Sequence, residues 1–201
     1  MGRLDSHAGG PAINTSQLVE CIREAGNGNL GAYQKIYDHY ARKVLNFIYR
    51  MVNSIEEAED LTQETFTAVY QKLATLQDPE RFEPWLFRIA RNFVYQRYRN
   101  RQPAMVAVDA LDEDGQPILQ IEDQRQTPDE AFEARELEQV VQEAIASLAP
   151  KYREVFVLSA IRHLSYQEIA EIVGRSLASV KTDIHRARLD VRNRVKHYIQ
   201  D

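Results

Sequence analysis

Tyr33, Ile36, Tyr37, Tyr40, Val44, Phe47, Ile48 and Met51 recur at three- and four-residue intervals, the spacing that keeps side chains on one face of an α-helix. The stripe predicts a long amphipathic helix whose aromatics are core material. A second helix is expected from about Ile55 to Leu76, burying Ala58, Leu61, Thr65, Val69 and Leu76. A third is expected from Phe82 to Arg101, with Phe82, Leu86, Ile89 and Phe93 inward and Arg88, Arg91, Tyr95, Tyr98 and Arg99 outward.

Near the C-terminus the pattern becomes more specific. Ser165 followed three residues later by Glu168 is a capping box, in which each side chain satisfies an amide that the first helical turn leaves orphaned. Ala170 is small where two helices must approach, Gly174 permits a tight turn and Ser176 can cap a following helix. In that helix Val180, Ile184, Ala187 and Val191 share a core face. Ala178, Ser179, Thr182, His185 and Arg186 then point outward, with Lys181 at the edge. Residues 165 to 188 therefore have the layout of a helix-turn-helix whose second helix could lie in the major groove of DNA.

Charge sharpens this reading, because the chain as a whole carries −5 while the stretch from Gly174 to His197 sets seven lysines or arginines against Asp183 and Asp190. A basic helix in an acidic protein asks for a polyanionic partner. From Arg81 to Arg101 six arginines face only Glu83, interleaved with Tyr95 and Tyr98, a mixture suited to stacking on unpaired bases while guanidinium groups hold phosphates. The other reading of that helix is a basic surface whose tyrosines are half buried. Between Ser54 and Glu64 there are five acids and no base, with Glu56, Asp60, Gln63 and Thr67 on the far side of the second helix. That face is either solvated next to a positive helix N-terminus or a docking surface for a basic partner. Residues 103 to 134 hold nine acids and Arg125 alone as a base, broken by Pro103, Gly115, Pro117 and Pro128, and read as a flexible acidic linker between two domains.

The 201 residues leave room for one large or two small domains, and 44% hydrophobic content is enough to build their cores. Residues 1 to 15, with Gly2, Gly9, Gly10 and Pro11, are expected to be a floppy tail. Cys21 is the single cysteine, which excludes an internal disulfide and a multi-cysteine zinc site and fits the reducing cytoplasm. The five histidines show no ligand spacing, so neither metal nor cofactor is expected. No apolar run approaches the roughly 20 residues of a membrane span, and no signal layout opens the chain. With no phosphate loop, nucleophile elbow or evident acid/base pair, the chain does not read as an enzyme.

EAEDLTQETF at 57 to 66, FEPWLFRIARNFVYQRYRNR at 82 to 101 and LAPKYREVFVLSAIRHLSYQEIAEIVGRSLASVKTDIHRAR at 148 to 188 closely resemble bacterial RNA polymerase sigma factors of the extracytoplasmic-function group. The resemblance implies an all-α chain with a tail (1 to 28), a region 2 helical bundle (29 to 101), the acidic linker (102 to 134) and a region 4 helix-turn-helix domain (135 to 201). It implies docking on core RNA polymerase through Asp60, Gln63 and Glu64, with Thr67 on the same face. It implies minus-ten recognition and melting by Arg88, Arg91, Asn92, Tyr95, Tyr98 and Arg99, with Trp85 in the family's tryptophan position. Residues 77 to 83 would help form the pocket for a flipped base. For the minus-thirty-five element it implies Ser165, Tyr166, Ser176, Ser179, Lys181, Thr182, His185 and Arg186. Around Val155, Phe156 and Leu158 it implies the core of the second domain and the edge of a groove for the polymerase flap. The linker would thread toward the polymerase active-site cleft.

Asp183 departs from the family pattern, and either repels phosphate or pairs with a nearby arginine. The implied partners are core polymerase, promoter DNA and an anti-sigma factor, for a cytoplasmic protein that is monomeric when free and does not enter membranes. Two other readings of the residues stand beside this one. A stand-alone helix-turn-helix regulator would bind an operator as a dimer, and an RNA-binding protein would use only the Arg/Tyr helix.

Overall fold

Residues 14 to 101, 128 to 160 and 164 to 199 are described in the computed structural model of the chain, and every regular element among them is helical. Asn14 opens α1 (Thr15–Gly26) with a capping box, its side chain accepting from the Gln17 amide at 2.9 Å while Gln17 accepts from the Asn14 amide at 3.1 Å. Cys21, Ile22 and Ala25 are buried and Leu18 is packed beside them, so α1 lays an apolar stripe on its neighbour α2 (Leu30–Val52). Part of the stretch expected to be an N-terminal tail is thus a packed helix. Residues 1 to 13 lie outside the described residues.

The expected stripe of α2 is buried at Ile36, Tyr40, Val44, Phe47, Ile48 and Met51, and Tyr33 and Tyr37 sit half buried at its edge. Asn53 ends the helix in the left-handed region at φ 56°, a conformation that asparagine tolerates better than most residues. Ser54 then caps α3 (Ile55–Lys72), which returns antiparallel against α2. In α3 the buried hydroxyls of Thr62 and Thr65 each donate at 2.7 Å to a carbonyl one turn back, so neither is left unsatisfied. The helix tightens to a 3-10 turn at Leu73–Thr75. That change of phase buries Leu73 and leaves Leu76, expected in the core, only half covered.

A second 3-10 turn, Pro79–Arg81, capped by Asp78, leads into α4 (Phe82–Arg101), whose Pro84 falls in the first turn where its missing N–H costs no bond. Phe82, Leu86, Phe87, Ala90 and Val94 face the core, and Phe47 meets Phe87 edge to face at 5.5 Å. Ile89 and Phe93, expected inside, are half buried. The inward stripe runs one position away from them, along 86, 87, 90 and 94. Each fully buried Ile, Leu or Phe stabilises this bundle by roughly 1.5–3 kcal/mol.

The second domain begins earlier than expected. Pro128 stands at the first position of α5 (Pro128–Ala146), where proline's fixed φ suits a helix start, so the last residues assigned to the linker are helical. The acidic stretch from 102 to 127 lies outside the described residues. α6 (Pro150–Ala160), α7 (Tyr166–Val173) and α8 (Leu177–Ile199) complete the domain around Val155, Leu158, Ile169, Ile172, Val180 and Ile184. The two domains pack together, α4 against α7 and α2 against α5 and α6.

Candidate nucleic-acid interface

On α3, Glu56, Asp60, Gln63, Glu64 and Thr67 are all exposed, and they line the side opposite Leu61, Thr65 and Val69. Glu57 falls on the other side of the first turn and is buried. Arg97 of α4 lies 3.3 Å from Glu64 and 3.7 Å from Glu57. An arginine of the cationic helix thus edges the acidic face.

On α4, Arg88, Asn92 and Arg99 are exposed, while Trp85 is half buried against Phe82 at 5.9 Å between ring centroids. The tyrosines are not the outward-facing pair that the spacing suggests. Tyr98 is half buried and donates its hydroxyl hydrogen to the carbonyl of Met51. Tyr95 is half buried and donates at 2.8 Å to Oε2 of Glu154, from the second domain. Burial, reinforced by the Glu154 carboxylate, holds the Tyr95 hydroxyl well above its usual pKa, so it stays a donor. Arg91 stacks over the Tyr95 ring at 4.5 Å and donates through Nε to the same Glu154 carboxylate.

The helix-turn-helix forms as its caps dictate. Ser165 Oγ accepts from the Glu168 amide at 3.2 Å, Glu168 accepts from the Ser165 amide at 2.6 Å, and Gly174 turns the chain at φ 68°. Ser176 Oγ accepts from the Ser179 amide at 3.3 Å. Along α8, Ala178, Lys181, Thr182, His185 and Arg186 are exposed, with Ser179 half exposed, while Val180, Ile184, Ala187 and Val191 are buried. Tyr166, at the first turn of α7, is half buried.

Asp183 is on the buried side and pairs with Arg175 at 2.6 Å, so of its two readings the arginine partner is the one observed. Arg186 donates to the Tyr152 hydroxyl of α6 at 3.4 Å. That hydrogen bond, with a second from Lys151, holds the phenol below its usual pKa. Sequence reasoning counted Arg81 only as part of the cationic stretch and the 77 to 83 loop, whereas it donates to both carboxylate oxygens of Glu171 at 2.8 and 2.7 Å, and it passed over Arg153, which donates to the carbonyl of Met51 at 2.8 Å. These contacts join elements far apart in the chain, and no local spacing announces them.

Residues 36–103 match the family description Sigma-70 region 2, and residues 138–191 match Sigma-70, region 4. The chain is 33% identical over 177 residues to the ECF RNA polymerase sigma factor SigW of Bacillus subtilis, covering 87% of this chain and 95% of that protein. It belongs to the extracytoplasmic-function sigma factors. The ECF RNA polymerase sigma-E factor of Salmonella typhi is a second relative of this sigma factor, 31% identical over 189 residues, with 91% of this chain and 95% of the relative covered. Among solved structures, CnrH in complex with the cytosolic domain of CnrY superposes with a TM-score of 0.65 at 24% identity, covering 89% of this chain and 97% of that one. The sigma factor RpoE of Bartonella quintana, in complex with the anti-sigma factor NepR, gives 0.61 at 20% identity, covering 82% and 96%. Both share the fold of this sigma factor.

Proposed function

We propose that this chain binds core RNA polymerase and directs initiation at a defined set of promoters, with α3 docking on the enzyme, α4 holding the opened minus-ten strand and α8 reading the minus-thirty-five element. The observation that best supports this is the coexistence of three surfaces: the exposed acidic face of α3, the cationic face of α4 beside it, and a capped helix-turn-helix with an uncovered basic second helix. An operator-binding regulator needs only the third surface. An RNA-binding protein needs only the second.

In this reading Asp60, Gln63, Glu64 and Thr67 meet the core enzyme. Arg88, Asn92 and Arg99 take the non-template strand together with Arg91, Tyr95 and Tyr98. Ser179, Lys181, Thr182, His185 and Arg186 meet the upstream element, with Tyr166 beside them. Ser165 and Ser176 accept capping bonds through oxygen, which leaves each hydroxyl hydrogen to donate to a phosphate. The chain makes and breaks no covalent bond, needs no cofactor and works in the cytoplasm as a monomer when free; among the described residues no helix is long and apolar enough to cross a membrane. An anti-sigma factor is the proposed regulator.

The test is transcription of a genomic fragment library by purified core polymerase with and without the chain, with 5′ ends mapped. Discrete new start sites should arise only when both are present. Specific DNA binding by a dimer, with no new start sites, would favour the stand-alone regulator.

A further inference from the structure

Glu154 is 1% exposed, yet it sits in a second-domain helix between Arg153 and Val155, one turn before the fully buried Leu158. Nothing apolar around it stabilises a carboxylate. Both of its hydrogen-bond partners, Arg91 and Tyr95, lie on α4 in the other domain. They form a fork, the guanidinium stacked on the phenol ring, Nε serving one carboxylate oxygen and the Tyr95 hydroxyl the other at 2.8 Å. Two converging donors around a pair of oxygens match a phosphodiester as well as a carboxylate. A second acid–base pair lies just before α4, where Glu171 of α7 takes Arg81 of the 3-10 turn by both oxygens. In each pair the second domain supplies the acid and the first the arginine.

We infer that Glu154 is an internal stand-in for a nucleic-acid phosphate: its carboxylate occupies an anion site made by Arg91 and Tyr95, and the free chain keeps part of its strand-binding face closed against its own second domain until a strand displaces it. This rests on the reading of α4 as the strand-binding face, and adds to it a site and its resident occupant. Arg88 and Asn92 on the same helix stay exposed, so a strand can land beside the closed site before competing for it. Binding to the closed chain is weakened by the fraction of molecules in which the site is free.

The experiment measures binding of the full-length chain to a fluorescent single-stranded oligonucleotide of mixed sequence, over a range of salt, without polymerase. Glu154→Gln keeps the size of the side chain and removes its charge, and Glu171→Gln makes the same change at the more exposed pair. Glu59→Gln, on the exposed surface of α3, controls for the loss of one negative charge in general. Glu154→Gln should bind about tenfold more tightly than the parent, and its salt slope should steepen by about 0.7, the value of one added phosphate contact on a single strand. Glu171→Gln should gain about threefold and Glu59→Gln less than twofold. Energy transfer between labels at Lys72→Cys and Arg192→Cys, in a Cys21→Ala background, should report domain separation when the oligonucleotide is added to the parent.

Circular dichroism establishes that each variant is folded, and should Glu154→Gln fail there, the Glu171→Gln gain with parental separation on oligonucleotide carries the test. A Glu154→Gln affinity or salt slope equal to that of Glu59→Gln overturns the proposal, as does oligonucleotide binding with no change in energy transfer. Core-dependent transcription is scored separately. If it fails while Glu154→Gln gains affinity, the polymerase reading falls and the latch stands; the converse pattern removes the latch alone.

Discussion

Replacing Asp183 by alanine should unfold the second domain more easily and leave its intrinsic attraction for DNA nearly unchanged. A carboxylate on a recognition helix would ordinarily be expected to repel phosphate, so its removal would strengthen binding. Here Asp183 has only 11% of its side chain exposed and faces Arg175, the residue after the Gly174 turn, at 2.6 Å. The pair ties the turn of the helix-turn-helix to the second turn of α8. Losing one partner of a buried pair costs about 3–5 kcal/mol. Arg175 keeps a quarter of its side chain in water and a 3.3 Å bond to the Lys151 carbonyl, so the guanidinium is not stranded and the loss should fall lower, at about 2 kcal/mol. In a domain of this size that corresponds to roughly 8–16 °C in Tm. Thermal melts followed by circular dichroism, on parent, Asp183→Ala and Asp183→Asn, measure it directly. Asparagine keeps an acceptor for Arg175 and should recover part of the loss. A melt within about 2 °C of the parent, together with tighter promoter binding, would refute the assignment and return Asp183 to the DNA-facing side.

Gln63→Ala combined with Asp60→Lys should weaken competition for core polymerase while leaving helicity intact, because both side chains lie opposite the buried stripe of α3; undiminished competition would remove that face from docking. Asn92→Ala should reduce open-complex formation on a duplex promoter more than on one with a pre-melted bubble, as permanganate reactivity would show, and equal losses would make Asn92 a structural residue. Arg186→Ala should relax preference at a single base pair of the upstream element by about tenfold, whereas Lys181→Ala should weaken all sequences alike and lower the salt slope by about one unit. Holoenzyme binding to a library of upstream elements at two salt concentrations separates these outcomes, and a uniform loss for Arg186→Ala would mark it as a phosphate anchor.

The helical stripes and caps were legible because their physics is local. Ser165 and Glu168 are three residues apart and satisfy each other's amides, so the start of α7 is written in four residues. The same signal stands at Asn14 and Gln17, followed by Leu18, Cys21, Ile22 and Ala25 at helical spacing. It was masked by the glycines and proline just before it, and a helix this short holds its shape by docking on α2 rather than by propensity. What spacing could not reveal is where side chains from distant segments meet. Tyr95 and Glu154 are 59 residues apart, with the acidic stretch between them. Glu154 itself carries a local signal, since a glutamate four residues before Leu158 falls on the apolar face and must find a partner. Helical spacing also mislaid Leu76, because the chain tightens to 3-10 geometry three residues earlier.

The carbonyl of Met51, one residue before the end of α2, accepts from Tyr98 of its own domain and from Arg153 of the other. The arrangement makes undocking asymmetric. When the second domain leaves, Tyr98 still satisfies that oxygen, and Arg153 keeps the carbonyls of Ala146 and Leu148 within its own fold. At this seam the carbonyl keeps a donor of its own domain and a single guanidinium nitrogen of Arg153 gives up its partner to water, while Arg153 Nε, buried without a partner in the docked chain, gains access to solvent, so parting there costs about one hydrogen bond. The seam works as a resealable joint, in which the carbonyl edge is finished by its own domain and the arginine edge is held in place by Ala146 and Leu148 whether or not the two meet.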